Sequence, residues 1–94
     1  MTVLIWSPQA ARDLEGIRAY IAVDSARYAD LTVARIVAGV ERLRAFPESG
    51  RIVPERNNPA VREVVVGRYR VVYRRRPDSV EIATVCRGSK HLLI

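Results

Sequence analysis

Apolar residues recur along this chain with helical spacing in its first half and with strand alternation in its last third. Thr2-Val3-Leu4-Ile5-Trp6 is a short apolar run with β-branched and aromatic members, closed by Ser7-Pro8, and predicts a first strand. Ser7 stands as an N-cap with Pro8 at the first helical position. Ala10, Leu14, Ile17 and Ile21 follow at helical spacing, so a helix is expected over about 8–23. Asp24-Ser25 interrupts the pattern, which resumes with Val33, Ile36, Val37, Val40 and Leu43 on one stripe and Arg35, Glu41, Arg42 and Arg44 elsewhere. This second helix is expected over about 26–45 and stops before Pro47. With so short a connection the two helices form an antiparallel hairpin. Gly39 lies off the stripe and costs about 1 kcal/mol against alanine unless close helix packing requires it.

PESGRIVPERNNP, residues 47–59, holds three prolines and a glycine, which punctuate the backbone and predict a loop. A loop of this length in a small domain is more often functional than merely connecting. The C-terminal third reads as strands over 62–66, 69–75 and 80–87, joined by Gly67-Arg68 and by Pro77-Asp78-Ser79, turns short enough to dictate an antiparallel meander. The expected fold is α+β in the order β-α-α-β-β-β, with the helical hairpin packed on one face of an antiparallel sheet. At 94 residues the chain holds one domain, spanning 1–94.

The segment GRYRVVYRRR, residues 67–76, sets five arginines around a Val-Val pair and two tyrosines. Strand alternation puts Tyr69, Val71 and Tyr73 on the core face and Arg70, Val72 and Arg74 on the opposite one. The next strand contributes either Val80, Ile82, Thr84 and Cys86 or Glu81, Ala83, Val85 and Arg87 to that opposite face. In the second case the face is a shallow apolar strip edged by arginines, suited to a peptide or partner protein. In the other reading it is an ordinary solvated strand face. Arg75 and Arg76, beside Pro77, read as turn residues in water.

Composition narrows the chemistry. Hydrophobic residues at 49% and charged residues at 28% make a globular mixture, and no apolar run reaches the roughly 18 residues of a membrane helix, so a cytoplasmic protein is expected. Cys86 has no disulfide partner and lies in an apolar strand, where it reads as a buried small hydrophobe. One Cys and one His supply too few ligands for a metal site, and no cofactor motif is present. The net charge of +6 rests on 16 basic residues, 15 of them arginine, whose forked guanidinium suits an anionic partner, although arginine-rich codon usage gives the same bias. Direct nucleic-acid binding finds no basic recognition helix and few aromatics for stacking. Hydrolase constellations fail for want of residues. RNA cleavage through a 2′-hydroxyl survives, since it needs only acid–base groups and cations; Arg70, Arg87, Lys90 and His91 are the candidates, with His91 carrying the proton. His91 otherwise reads as an exposed tail residue.

Four pieces in order, IWSPQAARDLEGIRAYIA, PESGRIVPE, VREVVVGRYRVVYR and IATVCRGSK, resemble the ParE/RelE superfamily of type II toxin–antitoxin (plasmid stabilisation) toxins, ParE more than RelE, over nearly the whole chain. The resemblance implies a toxin neutralised by a cognate antitoxin, whose C-terminal segment, expected to be acidic and disordered when free, wraps it. For ParE-like members the implied target is DNA gyrase; for RelE-like members the implied activity is ribosome-dependent mRNA cleavage. Arg70 matches a RelE active-site arginine by motif, but the same string occurs in ParE-like members. No tyrosine follows the last strand, and Glu63 with a run of valines stands where RelE-like chains place lysines, which favours ParE. Arg87-Gly88 and Lys90-His91 stand where ParE-like chains end in a His-Gly pair and an arginine. The leading expectation is a non-enzymatic gyrase inhibitor, with Arg70, Arg74, Arg87, Lys90 and His91 as target or antitoxin contacts; the alternative is an mRNA interferase.

Overall fold

The computed structural model describes residues 2–89. In chain order the elements are β1 (Val3–Trp6), α1 (Pro8–Ala22), α2 (Ala26–Glu41) with a 3₁₀ turn (Arg42–Arg44), β2 (Arg51–Ile52), β3 (Val61–Val66), β4 (Tyr69–Arg75) and β5 (Ser79–Arg87). Both helices begin where the caps are written. Ser7 Oγ accepts from the Ala10 N–H at 3.0 Å with Pro8 next to it, and Ser25 Oγ accepts from the Tyr28 N–H at 3.1 Å.

The sheet order is β1-β5-β4-β3-β2. The meander β3-β4-β5 is antiparallel as expected, but β1 lies parallel to β5, from Val3 opposite Ser79 to Trp6 opposite Ile82, so the sheet is mixed. Short turns fix direction only for the strands they join. β1 is separated from the others by the hairpin and is free to pair in parallel. The loop after the helices also supplies a strand, β2, on the far edge.

The hairpin covers one face. Ala10, Ile36, Val40 and Leu43 pack on Val71, Tyr73, Val80, Ile82 and Val85, with Leu14, Ile17 and Tyr69 at the margin. On α2 the buried positions are Ala29, Thr32, Ile36 and Val40, while Val37 stays exposed. Gly39 has its packing reason, because a Cβ there would lie 2.8 Å from Val66 Cγ2. Gly39→Leu is therefore expected to lower unfolding stability by about 1–2 kcal/mol, overpacking outweighing better helix propensity. An unchanged urea midpoint would contradict the close approach.

Candidate functional site

The sheet face opposite the helices is not open. Val61 and Glu63 of β3, Arg70 and Val72 of β4 and Cys86 of β5 are buried there, and Val53 of the preceding loop closes over them. Residues 53–60 form a hydrogen-bonded cover: the Val53 N–H donates to the Val61 carbonyl at 3.2 Å, and the Asn57 N–H donates to the Val53 carbonyl at 2.9 Å. The expectation that Arg70 projects into solvent is therefore corrected. At 5% exposure, Arg70 donates from Nε to Glu63 Oε1 at 2.6 Å and from its two terminal nitrogens to Glu55 at 2.9 and 2.8 Å. A bidentate fork on one carboxylate and a second carboxylate on its flank satisfy a charge that burial alone would penalise. The bonds to Glu55, then those to Glu63, raise the Arg70 pKa against the opposing effect of burial. Cys86 is buried on the same face, as expected.

Strand alternation fails at one place in β5. The β4–β5 register shifts between Val72 and Tyr73, where Val72 pairs with Thr84 and Tyr73 with Ile82, leaving Ala83 as an extra residue. Val80, Ile82 and Val85 all reach the helix-side core in consequence, so neither of the two expected side-chain sets runs the length of the strand. Arg87, paired with Tyr69, belongs to the helix side, while Glu81, paired with Arg74, faces away. The expected strip does not form along one sheet face, although Arg70 and Arg87 still line one cavity beside Arg68. Arg74 is half-buried on the covered face, and Arg75 pairs with Glu48 at 2.6 Å instead of standing free in water. Lys90 and His91 lie outside the described residues.

Arg87 instead meets Arg68, which the sequence reading passed over as a turn residue. The Tyr69–Arg87 pairing and a 2.7 Å bond from the Gly88 N–H to the Arg68 carbonyl bring the β3–β4 turn beside the end of β5. Both arginines are exposed, and neither has a carboxylate partner among the described residues. They border a cavity of about 470 Å³ with Tyr20, Tyr28, Arg35 and Tyr69 under the hairpin's turn, and one of about 410 Å³ with Arg51, Arg70 and Gly88. Cations backed by partly exposed tyrosines suit an acidic, partly apolar partner.

Residues 4–92 match the family model described as ParE toxin of type II toxin-antitoxin system, parDE. The chain belongs to this family. A solved chain from the chromosomal ParDE TA system of P. aeruginosa superposes on the ParE fold seen here with a TM-score of 0.76 at 26% identity, covering 93% of this chain and 96% of that one. A comparison with curated proteins gives no match. ParE family membership makes the protein a toxin of the type II toxin–antitoxin class. No helix among the described residues is long and apolar enough to cross a membrane.

Removing Arg70 leaves two carboxylates facing each other in the interior, so Arg70→Ala is expected to cost about 3–5 kcal/mol in urea unfolding. Arg87→Ala should stay within about 0.5 kcal/mol of wild type; equal losses would contradict this division of roles. The loop's other end hangs on Tyr73, whose Oη donates to the Pro47 carbonyl at 2.9 Å and accepts from the Gly50 N–H at 3.0 Å. Burial raises the Tyr73 pKa, against the lowering effect of the Gly50 bond. A raised pKa means that the folded state holds the proton more tightly. Its stabilising contribution is full below the unfolded value of about 10 and is lost as pH rises through the folded value. Wild-type stability should thus fall above about pH 10. Tyr73→Phe should lose about 1–3 kcal/mol at neutral pH and show a smaller alkaline fall, read from urea midpoints at each pH. Identical alkaline profiles would contradict this assignment.

Proposed function

We propose that this toxin acts in the cytoplasm as a non-enzymatic inhibitor of DNA gyrase and is held inactive by a cognate antitoxin whose acidic, disordered C-terminal segment orders on its surface. The observation that carries the reading is the interior position of Arg70. An mRNA interferase built on Arg70, Arg87, Lys90 and His91 needs that guanidinium against a phosphate, and here it is consumed by Glu55 and Glu63. Arg68 and Arg87 are exposed cations without a carboxylate partner among the described residues, on a surface shared with Tyr20, Tyr28 and Tyr69. Such a surface suits recognition of an acidic protein, where exposed charges speed encounter and set orientation.

Purified toxin at stoichiometric excess is expected to inhibit supercoiling by gyrase and to accumulate cleaved DNA, and pre-incubation with antitoxin is expected to abolish both effects. Arg68→Glu with Arg87→Glu should weaken inhibition by about tenfold or more without moving the urea midpoint. Full supercoiling at excess toxin would overturn the gyrase reading, and codon-linked cuts in translated messages after induction would replace it with the interferase.

A further inference from the structure

Two large aromatics, Tyr20 at 76% exposure and Tyr28 at 55%, stand at the turn end of the helical hairpin and border one cavity together with Tyr69 of β4. An isolated exposed aromatic needs no explanation, whereas three around one hollow of about 470 Å³ make a space lined by rings. Thr32 of α2 lies on the same wall. It is 8% exposed, and its hydroxyl makes no hydrogen bond among the described residues. A buried hydroxyl is ordinarily paired, so this one is left for whatever enters the cavity.

The cavity of about 410 Å³ shares Gly67, Arg68 and Arg87 with the first. Its character is different. Arg51, Arg68, Arg70 and Arg87 border it, and among the described residues no acidic one does. The Arg70 guanidinium is engaged by Glu55 and Glu63. Arg51 bonds Glu63 through Nε, and its terminal nitrogens have no carboxylate partner among the described residues. Four guanidiniums against two carboxylates leave an excess of two positive charges, carried by Arg68 and Arg87. A single carboxylate neutralises only one of these, whereas a phosphate chain carries several charges in a form that forked guanidiniums match.

We propose that the two cavities together bind a nucleoside triphosphate, with its base among the tyrosines beside Thr32 and its phosphates against Arg51, Arg68 and Arg87. Volumes of this size are those of small-ligand sites. Ring faces stack on tyrosine, and a base edge supplies the partner that the Thr32 hydroxyl lacks. The cations gather at one cavity beside one aromatic hollow, which suits a single base with its own phosphates. A polynucleotide needs a continued basic groove with successive stacking platforms. No phosphate-loop motif is required, because the cations come from β2, the β3–β4 turn and the end of β5 and are brought together by strand register. The proposal goes beyond gyrase inhibition and does not depend on it.

The test is calorimetric titration of the purified toxin at physiological salt with ATP, GTP, adenosine, inorganic tripolyphosphate and a single-stranded oligonucleotide. At least one of the two triphosphates is expected to saturate a single site. Adenosine and tripolyphosphate should each bind about tenfold more weakly or worse, because each fills one cavity only. Tyr28→Ala, and Arg68→Ala combined with Arg87→Ala, should each weaken the triphosphate about tenfold while the Tm stays that of wild type. Arg18→Ala should leave its affinity unchanged, since Arg18 pairs with Asp30 and borders neither cavity. The wild-type ligand series decides the question even where a variant unfolds. Absence of binding by both triphosphates overturns the proposal. Tripolyphosphate as tight as the triphosphates reduces the site to a plain anion surface and also overturns it, and an oligonucleotide about tenfold tighter replaces the nucleotide with a polynucleotide. Gyrase inhibition without nucleotide binding leaves the gyrase reading standing.

Discussion

Arg70 carries a permanent positive charge in the interior, and the arrangement of the second sheet face follows from how that charge is met. Burying a guanidinium is tolerable only when carboxylates with good geometry surround it. One of them, Glu63, comes from the adjacent strand and is already in place once β3 pairs with β4. The other, Glu55, belongs to the loop and reaches Arg70 only when residues 53–60 fold back over the sheet. The ion cluster therefore selects one loop conformation, and the selection carries Val53 onto Val61, Val72 and Cys86 as a second apolar cluster. A two-layer design thus acquires a partial third layer from a loop with almost no regular structure. Surface pairs such as Arg18–Asp30 do nothing comparable, because water screens them.

The same commitment sorts the arginines by role. Arg70 faces inward, Arg75 is tied to Glu48 and Arg51 to Glu63, so the density of arginine along the chain overstates the charge offered to a partner. At the hairpin end Arg68 and Arg87, from two different elements, are brought together by strand register. A bulge at Ala83 completes the sorting, since it rotates the last turn of β5 and delivers Arg87 to the helix side, next to Tyr20 and Tyr69.

Local signals were read well from the sequence, and long-range ones were not. Ser7-Pro8 and Ser25 placed the helix starts because caps act within a few residues, and the two short turns gave the meander. The parallel pairing of β1 with β5 depends on contacts far apart in sequence, which no local pattern encodes. The bulge was invisible because Ala83-Thr84 has no glycine or other mark, and strict alternation across it misplaced Arg87. The fate of Arg70 had a readable signal that went unused. Glu63 is a single acid in the valine-rich stretch VREVVV, on the same face as Val61, and an acid among apolar neighbours implies a buried cation as partner.

The central claim is that Arg70 organises the interior and touches no partner. Replacing the whole cluster tests it most directly, because a buried ion group exchanged for apolar or neutral groups of similar volume is often neutral in stability, whereas loss of a single partner is not. The measurement is antitoxin affinity and toxicity in cells for the combined variant Arg70→Met, Glu63→Leu, Glu55→Gln, with urea unfolding to establish that it folds. The account predicts a folded protein whose antitoxin affinity and toxicity stay within a factor of about three of wild type. A folded variant that has lost either would place Arg70 at the functional surface and contradict it.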